Sequence, residues 1–131
     1  MALIRYLLDT NAGIEYIGGA LPAKAIGWLD SIIETKIAIS VINQIEMLGF
    51  NPPNPADLLP FEELVATIAI LPLDEAVVNE VISLRKAYKI KLPDAVVAAT
   101  ARIHGLSLIT RNDSDFKRIP NLMLINLHDM I

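Results

Sequence analysis

The sequence predicts an α/β fold: a mainly parallel sheet with helices on both sides. The first observation behind this is an alternation of short β-branched or Leu-rich runs with stretches whose apolar residues recur at helical spacing. The second is length, since 131 residues suit a single hydrophobic core and so one domain over residues 1–131. The third is composition: 53% hydrophobic and 20% charged residues give enough apolar surface for a chain of this size to fold unaided. Parallel neighbours need long crossover connections, commonly helices, so several βα units in so short a chain imply parallel strands.

Leu3 to Leu8, broken by Arg5, reads as a first strand that stops at Asp9-Thr10-Asn11. A helix follows through Tyr16 and ends at Gly18-Gly19. After Pro22, the residues Ala25, Ile26, Leu29, Ile32 and Ile33 form one helical stripe, with Trp28 beside it as core filling. Lys36 to Ser40 is a brief strand, and Ser40 can cap a helix from Val41 to Leu48 that stops at Gly49. Pro52, Pro53, Pro55 and Pro60 then forbid a long uninterrupted helix, so residues 49–60 read as a loop or a broken helical clip. A helix resumes from Phe61 to Ala66, and Thr67 to Leu71 reads as a buried strand closed by Pro72. Asp74 caps a long helix to about Tyr88, and Pro93 fits the first turn of an Ala-rich helix through Ile103 that Gly105 ends. Leu106 to Thr110 is the next strand, Arg111 to Phe116 a loop, and Leu122 to Leu127 the last strand.

Several function classes fall away at once. The longest apolar stretch, Leu64 to Leu73, contains Pro72 and is half the roughly 20 residues a spanning helix needs. The chain start reaches Asp9 too soon for a secretory leader, so a cytoplasmic location is expected. With no cysteine and only His104 and His128, thiolate zinc sites, Cys nucleophiles and multi-His metal sites are excluded, and any metal must be held by oxygen. His104, at a helix end before Gly105, suits the helix dipole as a structural residue. The net charge of −4 hides an uneven distribution: residues 85–118 carry eight bases against three acids, while the rest carries three against twelve. A basic stripe beside an acidic site is one reading, and ordinary charged helix faces are the other.

In an open parallel sheet, ligands bind beyond the carboxyl ends of the strands. Asp9 stands at such a junction, and Asn112, Asp113 and Asp115 lie just past another. Asp94 falls in the first turn of its helix, and Glu46 sits among the apolar neighbours Val41, Ile42, Ile45, Met47 and Leu48. Singly, each has an ordinary role: Asp9 and Asp94 as helix-start acids, Glu46 as an exposed stripe on a buried helix. Gathered in one cleft they would repel by roughly 4 kcal/mol per close pair at an effective dielectric of about 20, so something must neutralise them. Without thiolates or a His cluster the cation is a hard one, Mg²⁺ or Mn²⁺, which suits phosphodiester or phosphate hydrolysis.

The order Leu7-Leu8-Asp9-Thr10-Asn11, Ser40 with Glu46, Leu92-Pro93-Asp94-Ala95 and Thr110-Arg111-Asn112 with Asp115-Phe116 resembles the PIN domain, especially the small VapC-type toxins of toxin–antitoxin pairs. The resemblance spans nearly the whole chain. It implies a three-layer α/β/α sandwich and a metal-dependent endoribonuclease that attacks RNA in line, with no covalent intermediate. By matching position the catalytic acids are Asp9, Glu46, Asp94 and Asp115, with Asp9, Asp94 and Asp115 as metal ligands and Glu46 as a ligand or an orienter of the attacking water. Thr10, Asn11, Ser40, Thr110 and Asn112 would support them. The slot held by Asp113 has no fixed identity, so which of Asn112, Asp113 and Asp115 faces the metal stays open. Arg85, Lys86, Lys89, Lys91, Arg111, Lys117 and Arg118 become candidate RNA contacts.

The resemblance also implies a homodimer, and an antitoxin whose C-terminal segment lies across the site. Leu58, Leu59 and Phe61 could line that groove or belong to the core. The alternatives are an RNA-processing PIN nuclease outside such a pair and a catalytically silent PIN dimer. A phosphatase of the haloacid dehalogenase type would need an acid where Asn11 stands.

Overall fold

Strands that are buried on both faces are apolar almost throughout, and each successive side chain enters the opposite core. The computed structural model describes residues 3–131 and follows this rule. In β1 (Tyr6–Leu8), Leu7 and Leu8 enter opposite cores. In β2 (Ile37–Ser40), Ile37 and Ile39 oppose Ala38, and in β4 (Ser107–Ile109) Leu108 opposes Ile109. All pairings are parallel, and the five strands run in the order β3-β2-β1-β4-β5, with β3 at Ala69–Leu71 and β5 at Leu124–Ile125.

One core lies under α1 (Thr10–Ile17), α2 (Ala23–Ile32), α3 (Val41–Leu48) and α4 (Leu59–Thr67). The other lies under α5 (Glu75–Ala87), α6 (Leu92–His104) and α7 (Asp113–Phe116). The three layers are therefore helices, sheet and helices, as the sequence predicts. The Ala-rich face of α6 is fully covered at Ala95, Ala98, Ala99 and Ala101, and α6 packs chiefly against α5, where Arg102 pairs with Glu80 at 3.3 Å.

Four expectations need correcting. The first strand begins at Tyr6, later than expected, and Leu3 and Arg5 before it are exposed. β3 is an exposed edge strand, not a buried one: Ala69 and Ile70 are open because the sheet ends there and no neighbour covers them. The expected loop at 111–116 contains α7, a turn drawn inward by the fully buried Phe116. The last strand shrinks to two residues because the Asn126 side chain accepts from the His128 N–H and turns the chain into a 3-10 helix, Leu127–Asp129. Within 49–60 a 3-10 turn, Pro55–Leu58, leads into α4, which tolerates Pro60 in its first turn. Among the described residues no helix is long and apolar enough to cross a membrane.

Gly105 ends α6 at φ +64, where its N–H reaches the Ala101 and Arg102 carbonyls. Gly105→Ala should therefore cost about 1–2 kcal/mol, the penalty of a left-handed conformation on a side chain. Urea unfolding checks this, and an unchanged midpoint would contradict it.

Candidate functional site

From β1 the sheet grows first toward β2 and β3, then on the other side through β4 and β5. The strand order thus reverses between β1 and β4, the place where an open α/β sheet makes its crevice. Asp9 and Thr110 directly follow these two strands, and Ser40 ends the neighbouring β2.

Asp9 is only 7% exposed, and burying a carboxylate is costly unless donors surround it. Its Oδ1 accepts from the Thr10 N–H at 2.9 Å and from Asn43 Nδ2 at 3.3 Å; its Oδ2 accepts from the Thr110 hydroxyl at 2.8 Å. Thr110 Oγ1 also accepts from the Asn112 N–H at 3.0 Å, and Asn11 Oδ1 accepts from the Arg111 N–H at 3.2 Å. The loop after β4 is in this way latched onto α1. Asn11 is one of its latches, which leaves no second acid of the phosphatase pattern there.

Ser40 and Asn43 form a reciprocal cap at the start of α3. Glu46, one turn further on, is solvent-facing but not loose: the Thr10 hydroxyl donates to its Oε1 at 2.7 Å. Asp94 stands half-buried in the first turn of α6, and Asp115 is exposed on α7.

These acids feel one another. Burial is the main reason the Asp94 carboxyl keeps its proton to higher pH than usual; the charges of Asp9, Asp115 and Glu46 add to this, and Lys91 opposes it. Asp9 is shifted in the same direction, by burial first and Glu46 to a lesser degree, while its bonds from Thr110, Thr10 and Asn43 pull the other way. Acids from four elements thus share one electrostatic site. Among the described residues no three acidic or histidine side chains stand close enough to enclose a metal ion by themselves. The donor chemistry nevertheless fits a hard divalent cation, which takes one or two carboxylates, keeps several waters and relieves such repulsion.

Beside Asp94 and Asp115 opens a cleft of about 520 Å³ whose other walls are Arg85, Lys89, Ile90, Lys91 and Arg118. The Arg118 guanidinium donates to the Lys89 carbonyl and ties α7 to the α5–α6 link. Four of the seven predicted basic contacts therefore border the acids. Lys86 and Lys117 are exposed but line no part of this cleft, and Arg111 is held at 3.2 Å by Glu15. Asp113 is turned aside: its Oδ1 accepts from Asn126 Nδ2 at 3.2 Å, so of the three candidates past β4 it is Asp115 whose charge reaches Asp94. His104 lines a separate pocket with Arg5 at the other end of β1. Phe61 is core, Leu58 half-buried, and Leu59 exposed.

Sequence reasoning missed two groups. Asn43 is entirely buried, and the spacing Ser40–Asn43 at a helix start was its available signal. Glu15 Oε2 accepts from Arg111 and lies 2.7 Å from His128 Nε2, which pins the C-terminal 3-10 turn to α1. Asn11 and Glu15, four apart on α1, both grip Arg111, a pairing that helical spacing allows.

The family model of the PIN domain matches residues 6–122. A chain of a toxin–antitoxin complex from Klebsiella pneumoniae is 33% identical with a TM-score of 0.74, covering 92% of this chain and 96% of that one. A chain of FitAcB from Neisseria gonorrhoeae is 28% identical, with a TM-score of 0.74 and coverage of 92% and 96%. A chain of VapBC2 from Rickettsia felis, in a structure bound to a DNA fragment from its promoter, is 25% identical with a TM-score of 0.79, covering 94% and 98%. No curated protein matches the sequence.

Because the folded state raises the proton affinity of Asp94, its charged form weakens the metal-free protein at neutral pH, and the penalty disappears as pH falls toward the ordinary carboxylate value of 3.8. Asp94→Asn should then raise the metal-free Tm at pH 7. The gain should shrink as the pH approaches 4. Calorimetry at both pH values checks it; an equal or lower Tm at pH 7 would refute the penalty that burial and neighbouring charge together place on the ionised Asp94.

Proposed function

The chain belongs to the PIN-domain family, and from that premise we propose that it is a metal-dependent endoribonuclease, the toxin of a VapBC-type toxin–antitoxin pair. The observation that carries this reading is the electrostatic coupling of Asp94 to Asp9, Asp115 and Glu46 at the wall of a cation-lined cleft. Such a site pairs a cation-hungry acidic corner with a path for a polyanion.

Asp9, Asp94 and Asp115 would hold Mg²⁺ or Mn²⁺, with Glu46 a further ligand or an orienter of water. When bound, the cation supplies charge neutralisation at the phosphoryl oxygens and a more acidic water. The chain's own residues supply the positions. Thr110, Thr10 and Asn43 fix the Asp9 carboxylate, and the Thr10 hydroxyl fixes Glu46. Arg85, Lys89, Lys91 and Arg118 draw the RNA backbone to the acids from the α5–α6 side. As an orienter, Glu46 would hold a water for in-line attack; as a ligand it would share the cation, and in either role no side-chain nucleophile is required.

The toxin assignment rests on the complexes whose chains match over almost their full length. By the same likeness one partner is a cognate antitoxin; a second copy of this chain follows from the sequence's resemblance to VapC-type toxins, and a cytoplasmic setting is the sequence's own expectation. Leu59, 55% exposed at the start of α4, is an apolar anchor available to such a partner. All four acid positions are filled, which disfavours a silent PIN scaffold. An RNA-processing role outside a toxin–antitoxin pair would use the same chemistry.

Purified, partner-free protein should cleave RNA with Mg²⁺ or Mn²⁺ and stop in EDTA, and folded Asp94→Asn should lose more than about 100-fold of the rate. A fully active, metal-dependent Asp94→Asn protein would refute the site. On single-stranded RNA, Lys89→Ala should flatten the log-affinity against log-salt slope by about 0.7, the loss of one phosphate contact. An unchanged slope would remove Lys89 from the interface.

A further inference from the structure

We propose that Asn43 is the positioning residue that locks Asp9 and Glu46 into a single arrangement, through one amide group whose two ends do different work. The inference rests on the nuclease reading above and adds to it the group that sets the acids' geometry.

Asn43 sits three residues before Glu46 on α3 with no solvent exposure. Its Oδ1 accepts from the Ser40 N–H at 2.9 Å and the Ser40 hydroxyl at 2.7 Å. Its Nδ2 donates to Thr10 Oγ1 at 3.0 Å and to Asp9 Oδ1 at 3.3 Å. The amide has two acceptor sites and two donors, and all four are engaged. It cannot be reversed, because a backbone N–H can only donate and so demands the oxygen end. The Ser40 side therefore dictates that the NH₂ group faces the acids.

That orientation is passed on. Because Asn43 donates to the Thr10 oxygen, the Thr10 proton is free to point at Glu46 Oε1, which it meets at 2.7 Å. One buried amide thus sets two acids from different elements, Asp9 directly and Glu46 through a hydroxyl. A purely structural role would use only the oxygen end, which completes the cap of α3. The nitrogen end contributes nothing to that cap, and its partners are an acid and a hydroxyl bound to an acid.

The test is Mn²⁺ binding by calorimetry beside RNA kinetics, on wild type and on Asn43→Ala shown to be folded by circular dichroism. Asn43→Ala should bind Mn²⁺ about 10–100-fold more weakly and lose a similar factor in kcat, with KM for RNA changed by less than about twofold. Thr10→Val keeps the shape of the side chain but breaks the relay to Glu46, so it should weaken Mn²⁺ binding in the same direction; Thr10→Ser, which restores the hydroxyl, should recover most of the loss. If Asn43→Ala does not fold, the Thr10 pair decides. A folded Asn43→Ala or Thr10→Val protein with wild-type Mn²⁺ affinity and kcat overturns the proposal and leaves the nuclease reading intact. Wild type that binds Mn²⁺ but cleaves no RNA sinks the nuclease reading, while the Mn²⁺ affinities still decide Asn43. Wild type that binds no Mn²⁺ overturns both.

Discussion

A carboxylate carried into the interior at the end of the central strand governs the arrangement around it. Asp9 has little contact with water, so each of its oxygens needs a donor, and the three it finds come from α1, α3 and the end of β4. Each donor is itself held: the Thr10 N–H by the helix it opens, Asn43 by the Ser40 cap, and Thr110 by its position at the end of the β1–β4 ladder. These bonds moderate the cost of burial without cancelling it, and the carboxyl still favours its proton more than a free one does. A buried acid shifted in this way beside specific charged partners is the mark of a candidate functional site.

The rest of the site is divided by sign. Acids gather at the ends of β1, α3, α6 and α7, whereas the cations Arg85, Lys89, Lys91 and Arg118 occupy one flank. Four cations on one flank give it a local positive field, so the chain's overall negative charge does not describe the charge of this cleft. Lys91 belongs to both halves, lining the cleft while its charge steadies the ionised form of Asp94.

Much of this was legible because its punctuation is local. An acid after an apolar run, a serine before a helix and a Pro-Asp pair in a first turn are set by capping and by the backbone limits of proline, which need no knowledge of the rest of the chain. The PIN resemblance rests on the order of these signals. What stayed hidden depends on distant neighbours. The run Ala69–Leu71 reads alike whether the strand is central or at an edge, and only the sheet order exposes it. The stretch Asp113–Phe116 becomes helical because Phe116 finds a core. Arg111 looked as free as Lys89, yet Glu15, remote in sequence, holds it. Of Asn112, Asp113 and Asp115, Asp113 is engaged by Asn126, a residue with no local mark of importance.

The pairing of the chain's earliest strand with one of its latest has a consequence during synthesis. β1 borders β4, and Asp9 takes a hydrogen bond from a residue 101 positions later. An emerging polypeptide that has completed α1 to α5 therefore still lacks Asp94, Asp115 and Thr110, and its first strand has one side of its ladder open. Such long-range closure is slow by nature and comes late. Until Thr110 and Asp115 have cleared the ribosome, the central strand lacks its second neighbour and the four acids cannot come together.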